Sequence, residues 1–72
     1  MSAQHEFYLV RVAEARAGAV AATLDNVRQR WLRSEATWSE LAARSERAEK
    51  VRERLLADKT RERAVAGDLG QA

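Results

Sequence analysis

Apolar residues recur at helical spacing through the first half of the chain. They stand three or four positions apart at Val20, Leu24, Val27 and Trp31, and Trp38 follows seven positions later. This spacing lines one side of a helix, and it includes both tryptophans of the chain. Proline is absent, and alanine, arginine and glutamate, all good helix formers, are abundant. We therefore predict an all-α fold.

The first predicted helix, from about residue 3 to residue 23, carries two apolar stripes on opposite sides. Ser2 is a suitable cap for its start. With each residue advanced by ~100° around a helical wheel, one side carries Val10, Ala13, Ala17, Val20 and Leu24. The opposite side carries Tyr8, Val12, Ala15, Ala19 and Ala22. A helix with two opposed apolar stripes needs cover on both sides.

A turn is predicted near residues 24–26, because Thr23, Asp25 and Asn26 favour turns and helix starts. The second helix is then expected from about residue 26 to residue 66. Gly67 is a natural helix stop, and residues 67–72 are expected to form a flexible C-terminal tail. Two alternatives remain open: a turn at residues 34–37, and no turn at all, in which case the chain forms one long coiled coil.

Folding the chain back at residue 25 predicts which residues meet in an antiparallel hairpin. Trp31 then lies opposite Val20, Trp38 opposite Ala13, and Leu41 opposite Val10, so that large side chains face small ones. The predicted hairpin seam consists of Val10, Ala13, Ala17, Val20, Leu24, Val27, Trp31, Trp38 and Leu41.

The remaining stripe of the first helix predicts self-association. A chain of 72 residues without cysteines has a small core and no disulfides, so partner subunits are its remaining source of stability. A second copy related by two-fold symmetry would cover the free stripe and give a dimeric four-helix bundle. The predicted oligomer interface consists of Tyr8, Val12, Ala15, Ala19 and Ala22.

Two residues of the first helix, Gly18 and His5, call for separate predictions. Gly18 either permits close approach of another helix or is a tolerated exposed glycine, and the sequence leaves both open. His5, the only histidine, is expected to be an exposed residue of the first turn.

Several short segments resemble a group of short bacterial two-helix (α-hairpin) proteins of unknown function. The resemblance covers about residues 8–45. It rests on Tyr8-Leu9, Ala13-Glu14-Ala15, Ala21-Ala22-Thr23 with Asp25, Val27-Arg28, and Leu41-Ala42-Ala43-Arg44. It implies a turn between an alanine-rich first helix and an arginine-bearing second helix, and it implies no activity. The proline expected in that turn is missing here.

No pattern typical of catalysis is present. The single histidine and the absence of cysteine argue against a metal cluster, and the three glycines do not form a phosphate-binding loop. Carboxylates of the second helix lie among arginines, which is typical of a solvated face. We expect no enzymatic activity, no cofactor and no metal.

Charge and the far half of the second helix indicate two kinds of partner. Arg28, Arg30 and Arg33 form a short basic cluster that could contact nucleic acid, although the net charge of the chain is only +2. An apolar strip in the far half could instead dock onto another protein, through Val51, Leu55 and Leu56. We therefore expect a small non-enzymatic adaptor or regulatory protein acting through homo-oligomerisation and protein–protein interaction, with nucleic-acid binding as the alternative.

No segment of the chain predicts export or membrane insertion. The start lacks the basic region of a signal peptide, and no stretch approaches ~18 uncharged apolar residues. A cytoplasmic location is the expectation, without membrane contact.

Overall fold

The protein is an antiparallel hairpin of two α-helices. A computed structural model describes the backbone of residues 2–71 and the side chains of residues 2–68. Helix α1 spans Ala3–Ala21 and helix α2 spans Asp25–Gln71, and residues 2–71 include no strand. The prediction of an all-α helical hairpin is confirmed.

Helix α1 begins at the residue that the sequence indicates. The Ser2 hydroxyl accepts a hydrogen bond from the His5 backbone N–H at 3.2 Å, and the Ser2 carbonyl accepts one from the Glu6 N–H at 3.1 Å. The hydroxyl bond satisfies a donor that an uncapped helix would leave free, and the carbonyl bond is the first regular hydrogen bond of the helix. Glu6 also places a carboxylate in the first turn, where the helix dipole favours negative charge.

The turn consists of residues 22–24, so the early-turn prediction is correct to within two residues. Ala22 adopts an extended conformation at φ −68° and ψ 132°, and no residue of the described chain has a positive φ. Glycine is therefore not needed here. The Arg28 guanidinium donates a 2.8 Å hydrogen bond to the Ala22 carbonyl, and the Arg28 N–H donates to the Leu24 carbonyl at 3.0 Å. This arrangement excludes the later turn and the single long helix.

Helix α2 runs without interruption past its predicted end. Gly67 lies inside the helix, with negative φ, and not in the left-handed conformation that ends many helices. A helical glycine costs up to ~1 kcal/mol relative to alanine, which weakens a helix without necessarily ending it. The predicted tail at residues 67–72 is thus helical to Gln71, while Ala72 lies outside the described residues.

The two helices differ greatly in length, and the molecule is a rod. It measures 73 × 14 × 12 Å, and its radius of gyration is 20.6 Å, against ~11 Å for a compact domain of this size. Helix α1 covers α2 only as far as Glu49. From residue 50 to residue 68 every side chain except Asp58 is exposed. We call residues 50–71 the overhang.

The stripe of α1 that faces α2 is not the one that the sequence analysis assigned to the seam. We call Tyr8, Val12, Ala15, Ala19 and Ala22 the inner stripe, because these residues pack toward α2; Ala15 is 1% exposed and Ala19 is 6% exposed.

The opposite side of α1 faces away from α2. Val10 is 55% exposed and Val20 is 82% exposed. We call Leu9, Val10, Ala13, Ala17 and Val20 the outer stripe. The predicted roles of the two stripes were therefore reversed. The α2 half of the predicted seam is largely correct, since Val27, Trp38 and Leu41 are half-buried, whereas Leu24 is exposed in the turn.

The reversal has a steric cause at Gly18, which flanks the inner stripe. A Cβ atom at Gly18 would lie 2.9 Å from Cε3 of Trp31 and still closer to Cδ2 and Cε2. The Trp31 indole therefore lies against the α1 backbone at the only residue of α1 that lacks a side chain. Gly18 permits close helix approach, and this selects the side of α1 that packs on α2.

Candidate functional site

An aromatic cluster joins the two helices in the half of the hairpin away from the turn, and it determines which side of α1 faces away from α2. Trp38 packs edge-on against Phe7, with ring centroids 5.8 Å apart, and its ring is tilted by 34° from that of Tyr8 at a centroid distance of 6.0 Å. The Arg11 guanidinium lies 5.1 Å from the Phe7 centroid and 5.8 Å from the Trp38 centroid. Aromatic and cation–π contacts of this kind add about 0.5–1.5 kcal/mol each to simple burial. They hold the inner stripe against α2 and leave the outer stripe facing away.

One ion pair joins the two helices nearer the turn. Arg16 Nε donates to Glu35 Oε1 at 3.2 Å, and Glu35 is the less exposed partner. A partly exposed pair of this kind contributes about 0.2–1 kcal/mol. Its main effect is directional, because it fixes the rotation of α1 about its own axis.

The outer stripe is the first candidate interaction surface. It is apolar along the length of α1, and its residues are all exposed. On a helical wheel Glu6 lies within this side, and Glu14 and Arg16 flank it on opposite edges. The Arg16 side chain is turned toward α2, where it pairs with Glu35. Arg11 Nη1 lies 3.2 Å from Glu14 Oε2. The outer stripe is therefore an apolar strip with one acid within it and a second acid at one border, and no residue of the described part of the chain covers it.

The overhang is the second candidate surface. Val51, Leu55, Leu56 and Val65 are exposed there, and a shallow groove includes Leu55 and Leu56 between charged neighbours. The predicted docking residues are thus accessible. The ion pairs of this region, Arg61 with Asp58 and Arg52 with Glu49, join residues one turn apart on the same helix. Such pairs sustain a solvated helix but anchor it to nothing.

One side of the overhang continues the α1-facing side of α2. Leu56 lies on this side, eighteen positions or five turns beyond Trp38. Arg52, Lys59 and Arg63 lie on the same side, and we call them the basic strip. Glu53 lies as close to Leu56 around the helix as Lys59 does, on the other flank. The surface that α1 does not reach is therefore apolar at Leu56, with three bases and one acid around it.

His5 is buried, contrary to the expectation of an exposed residue. It is 4% exposed, and its Nδ1 atom has no hydrogen-bond partner. Glu49 lies near the same end of the helix pair, with a buried Oε2 atom 3.6 Å from Arg52 Nη2 and without a hydrogen bond. A helical wheel could have predicted this burial, because His5 lies three positions before Tyr8 and ten before Ala15, on the inner side of α1.

The three arginines of the predicted nucleic-acid cluster have different surroundings. Arg28 is bonded to the turn, as described above. Arg30 borders a surface groove with Val27, Trp31 and Ser34, and Arg33 is exposed. Trp31 is 39% exposed, with its ring against Gly18. The cluster is thus not a single free basic surface.

The described residues form neither a metal site nor a membrane-spanning segment. Within residues 2–68, no three histidine, cysteine or carboxylate side chains converge as metal ligands would. Within the described helices, no segment combines the length and apolar character needed to cross a bilayer.

Comparisons of the chain with known proteins give no relative. No protein-family model, no curated protein and no solved structure matches the sequence or the fold significantly.

Proposed function

We propose that this chain is a non-enzymatic, cytoplasmic helical protein that self-associates and acts through protein–protein interaction, as a small adaptor or regulatory unit. The observation that carries the proposal is the exposed outer stripe of α1. A helix of a stable monomer turns its apolar side inward, whereas α1 has apolar residues on both sides and α2 covers only one of them.

The accessible surface of the chain supports the same proposal. It amounts to 5879 Å², against ~4,500 Å² for a compact monomer of 8.1 kDa. The excess of roughly 1,400 Å² exceeds the ~800 Å² that each partner contributes to a stable interface of standard size. The exposed surface of the chain is therefore both large enough and apolar enough for a stable dimer interface.

Sedimentation equilibrium of the full chain tests the proposal. We expect a mass of at least twice 8.1 kDa at micromolar concentration, and a monomer after Val10→Asp, which places a charge in the middle of the outer stripe. Leu32→Asp is the matched control, because Leu32 is also an exposed apolar residue but lies on the side of α2 away from α1. A wild-type chain that remains a folded monomer at this concentration contradicts self-association.

The nucleic-acid alternative receives no comparable support. Of its three arginines, Arg28 already bonds the Ala22 carbonyl. Outside the basic strip, the bases of the overhang alternate with acids, and within the strip Arg52 already pairs with Glu49. A phosphate-binding surface concentrates one sign of charge. A mobility-shift titration at low salt checks this alternative directly.

A further inference from the structure

The lengths of the two helices are related in a way that suggests how a second copy fits. Helix α1 has 19 residues and the overhang has 22, which correspond to ~28 Å and ~33 Å at the helical rise. Helix α2, with 47 residues, is ~70 Å long. It can therefore accommodate two α1 helices placed end to end along one side, of which its own α1 occupies the first half.

The charges of the two uncovered surfaces are complementary. The outer stripe is apolar with Glu6 within it and Glu14 at one border, and the corresponding side of the overhang is apolar at Leu56 with the three bases of the basic strip and one acid, Glu53, around it. Pairing the outer stripe with itself would bring acids together, and pairing two overhangs along this side would bring the basic strips together. Pairing the outer stripe with the overhang matches opposite charges.

We infer that two copies form an antiparallel two-fold dimer in which each overhang packs against the outer stripe of its partner's α1. The two α2 helices form the outer layers, and the two α1 helices lie end to end between them. Each α1 is then covered by its own α2 on the inner stripe and by the partner's overhang on the outer stripe. This inference rests on the self-association proposed above, and specifies its geometry.

The helix lengths also set the register of this dimer. With the starts of the two α1 helices adjacent, each α1 residue lies beside the partner's α2 residue about 48 positions higher in number. Val10 then lies beside the partner's Lys59 and within a turn of the partner's Leu56. Glu14 lies beside the partner's Arg63. The two copies of Val10 are about 27 Å apart along the rod.

The centre of the dimer accounts for an otherwise unexplained feature of the chain. Two α1 N-termini meet there, and each carries partial positive charge. Glu46 and Glu49 of both α2 helices lie at this level, and the buried Oε2 atom of Glu49 lacks a hydrogen-bond partner. Carboxylates at this position offset the two facing dipoles.

Disulfide trapping tests the geometry, because the chain has no cysteine of its own. We expect Val10→Cys chains mixed with Lys59→Cys chains to form a covalent heterodimer under mild oxidation. Arg61→Cys is the matched control for Lys59→Cys, since Arg61 lies two residues away on the opposite side of the overhang. A mixture of Val10→Cys with Arg61→Cys should remain uncrosslinked.

The results separate failure of this geometry from failure of self-association. If Val10→Cys chains instead crosslink efficiently to one another, the outer stripes pair with themselves, and the inferred geometry is overturned while self-association stands. If the chain sediments as a dimer but forms no Val10–Lys59 disulfide, the inferred geometry is likewise overturned while self-association stands. A chain that sediments as a monomer overturns both.

A substitution in the overhang provides a measurement without crosslinking. Leu56→Asp should raise the dimer dissociation constant at least about tenfold, because it removes the apolar contact and places an acid opposite a stripe that carries Glu6 and Glu14. Leu32→Asp should leave the constant unchanged. Equal dissociation constants for wild type and Leu56→Asp would show that the overhang is outside the interface.

Discussion

The indole of Trp31 lies against the backbone of α1 at Gly18, in space that any side chain would occupy. This contact determines which side of α1 faces α2, and hence which apolar stripe remains outside. A single glycine thereby determines which apolar surface of α1 faces away from α2.

Gly18→Ala should displace Trp31 and destabilise the hairpin. Alanine normally stabilises a helix interior by up to ~1 kcal/mol relative to glycine, whereas overpacking costs about 1–3 kcal/mol. We therefore expect a net loss, measured by thermal unfolding, with a red shift of the Trp31 fluorescence. Gly67→Ala is the control, since a Cβ there meets nothing within 4 Å, and it should raise the melting temperature. A Gly18→Ala chain that melts above wild type contradicts this role.

Trp38→Ala should cost about 2–3 kcal/mol of unfolding free energy. The value lies below the ~3–5 kcal/mol typical of fully buried aromatics, because Trp38 is only half-buried. The variant loses the contacts with Phe7 and Tyr8 and the stacking of Arg11. Urea denaturation followed by circular dichroism measures the change. Unchanged stability would mean that the aromatic cluster does not hold α1 in place.

Arg28→Ala should weaken the turn by about 0.5–1.5 kcal/mol, because the Ala22 carbonyl loses its hydrogen bond from the guanidinium. Arg30→Ala is the matched control: it removes the same charge from an exposed neighbour that makes no hydrogen bond or ion pair in the described part of the chain. Thermal unfolding of both variants separates the two effects. Equal losses would indicate that charge, and not the bond to Ala22, is responsible.

The Arg16–Glu35 pair should contribute about 0.2–1 kcal/mol, and less at high salt, because it is partly exposed. A double-mutant cycle with Arg16→Ala and Glu35→Ala measures its coupling energy. We expect the coupling to fall between 0.05 M and 1 M salt, as the Debye length shortens from roughly 14 to 3 Å. A coupling energy that does not change with salt argues for a packing contact instead.

His5→Phe should raise the unfolding free energy by about 1 kcal/mol. The imidazole is buried, and its Nδ1 atom has no hydrogen-bond partner, and an unsatisfied buried polar atom costs about 1–3 kcal/mol. Phenylalanine has a similar shape without that atom. Urea denaturation is the appropriate measurement. A clear loss of stability would show that the imidazole makes a polar contact in solution, for example through water.

The sequence predicts the elements of this fold better than it predicts their faces. Ser2, the turn residues and the absence of proline favoured two helices with a turn near residues 24–26, although a later turn and a single long helix remained open until the structure excluded them. The two stripes of α1 could not be distinguished by spacing, because both repeat every three or four residues. The outer stripe even has more large aliphatic residues, which made it the apparent seam. Steric fit decided between them, through Gly18 and Trp31, and hydrophobicity alone carries no information on that fit.

The sequence also predicted only some of the exposed and buried residues of the candidate surfaces. The exposure of Val51, Leu55 and Leu56 was expected, because α1 is too short to reach them. The burial of His5 was missed because a residue in a first turn was assumed to be frayed. The Ser2 cap instead orders this turn, and the wheel places His5 toward α2.

Helix α2 also sets a fixed distance between the two ends of the molecule. Because it is unbroken from Asp25 to Gln71, it holds the turn and the far end of the rod about 70 Å apart, however the rest of the surface is occupied. In the antiparallel dimer, each turn would lie beside the far end of the other copy, so both tips of the particle would present the same chemistry. Anything tethered to either end of one chain would be duplicated at a fixed spacing, and a pair of fluorophores at the tips would report that spacing directly.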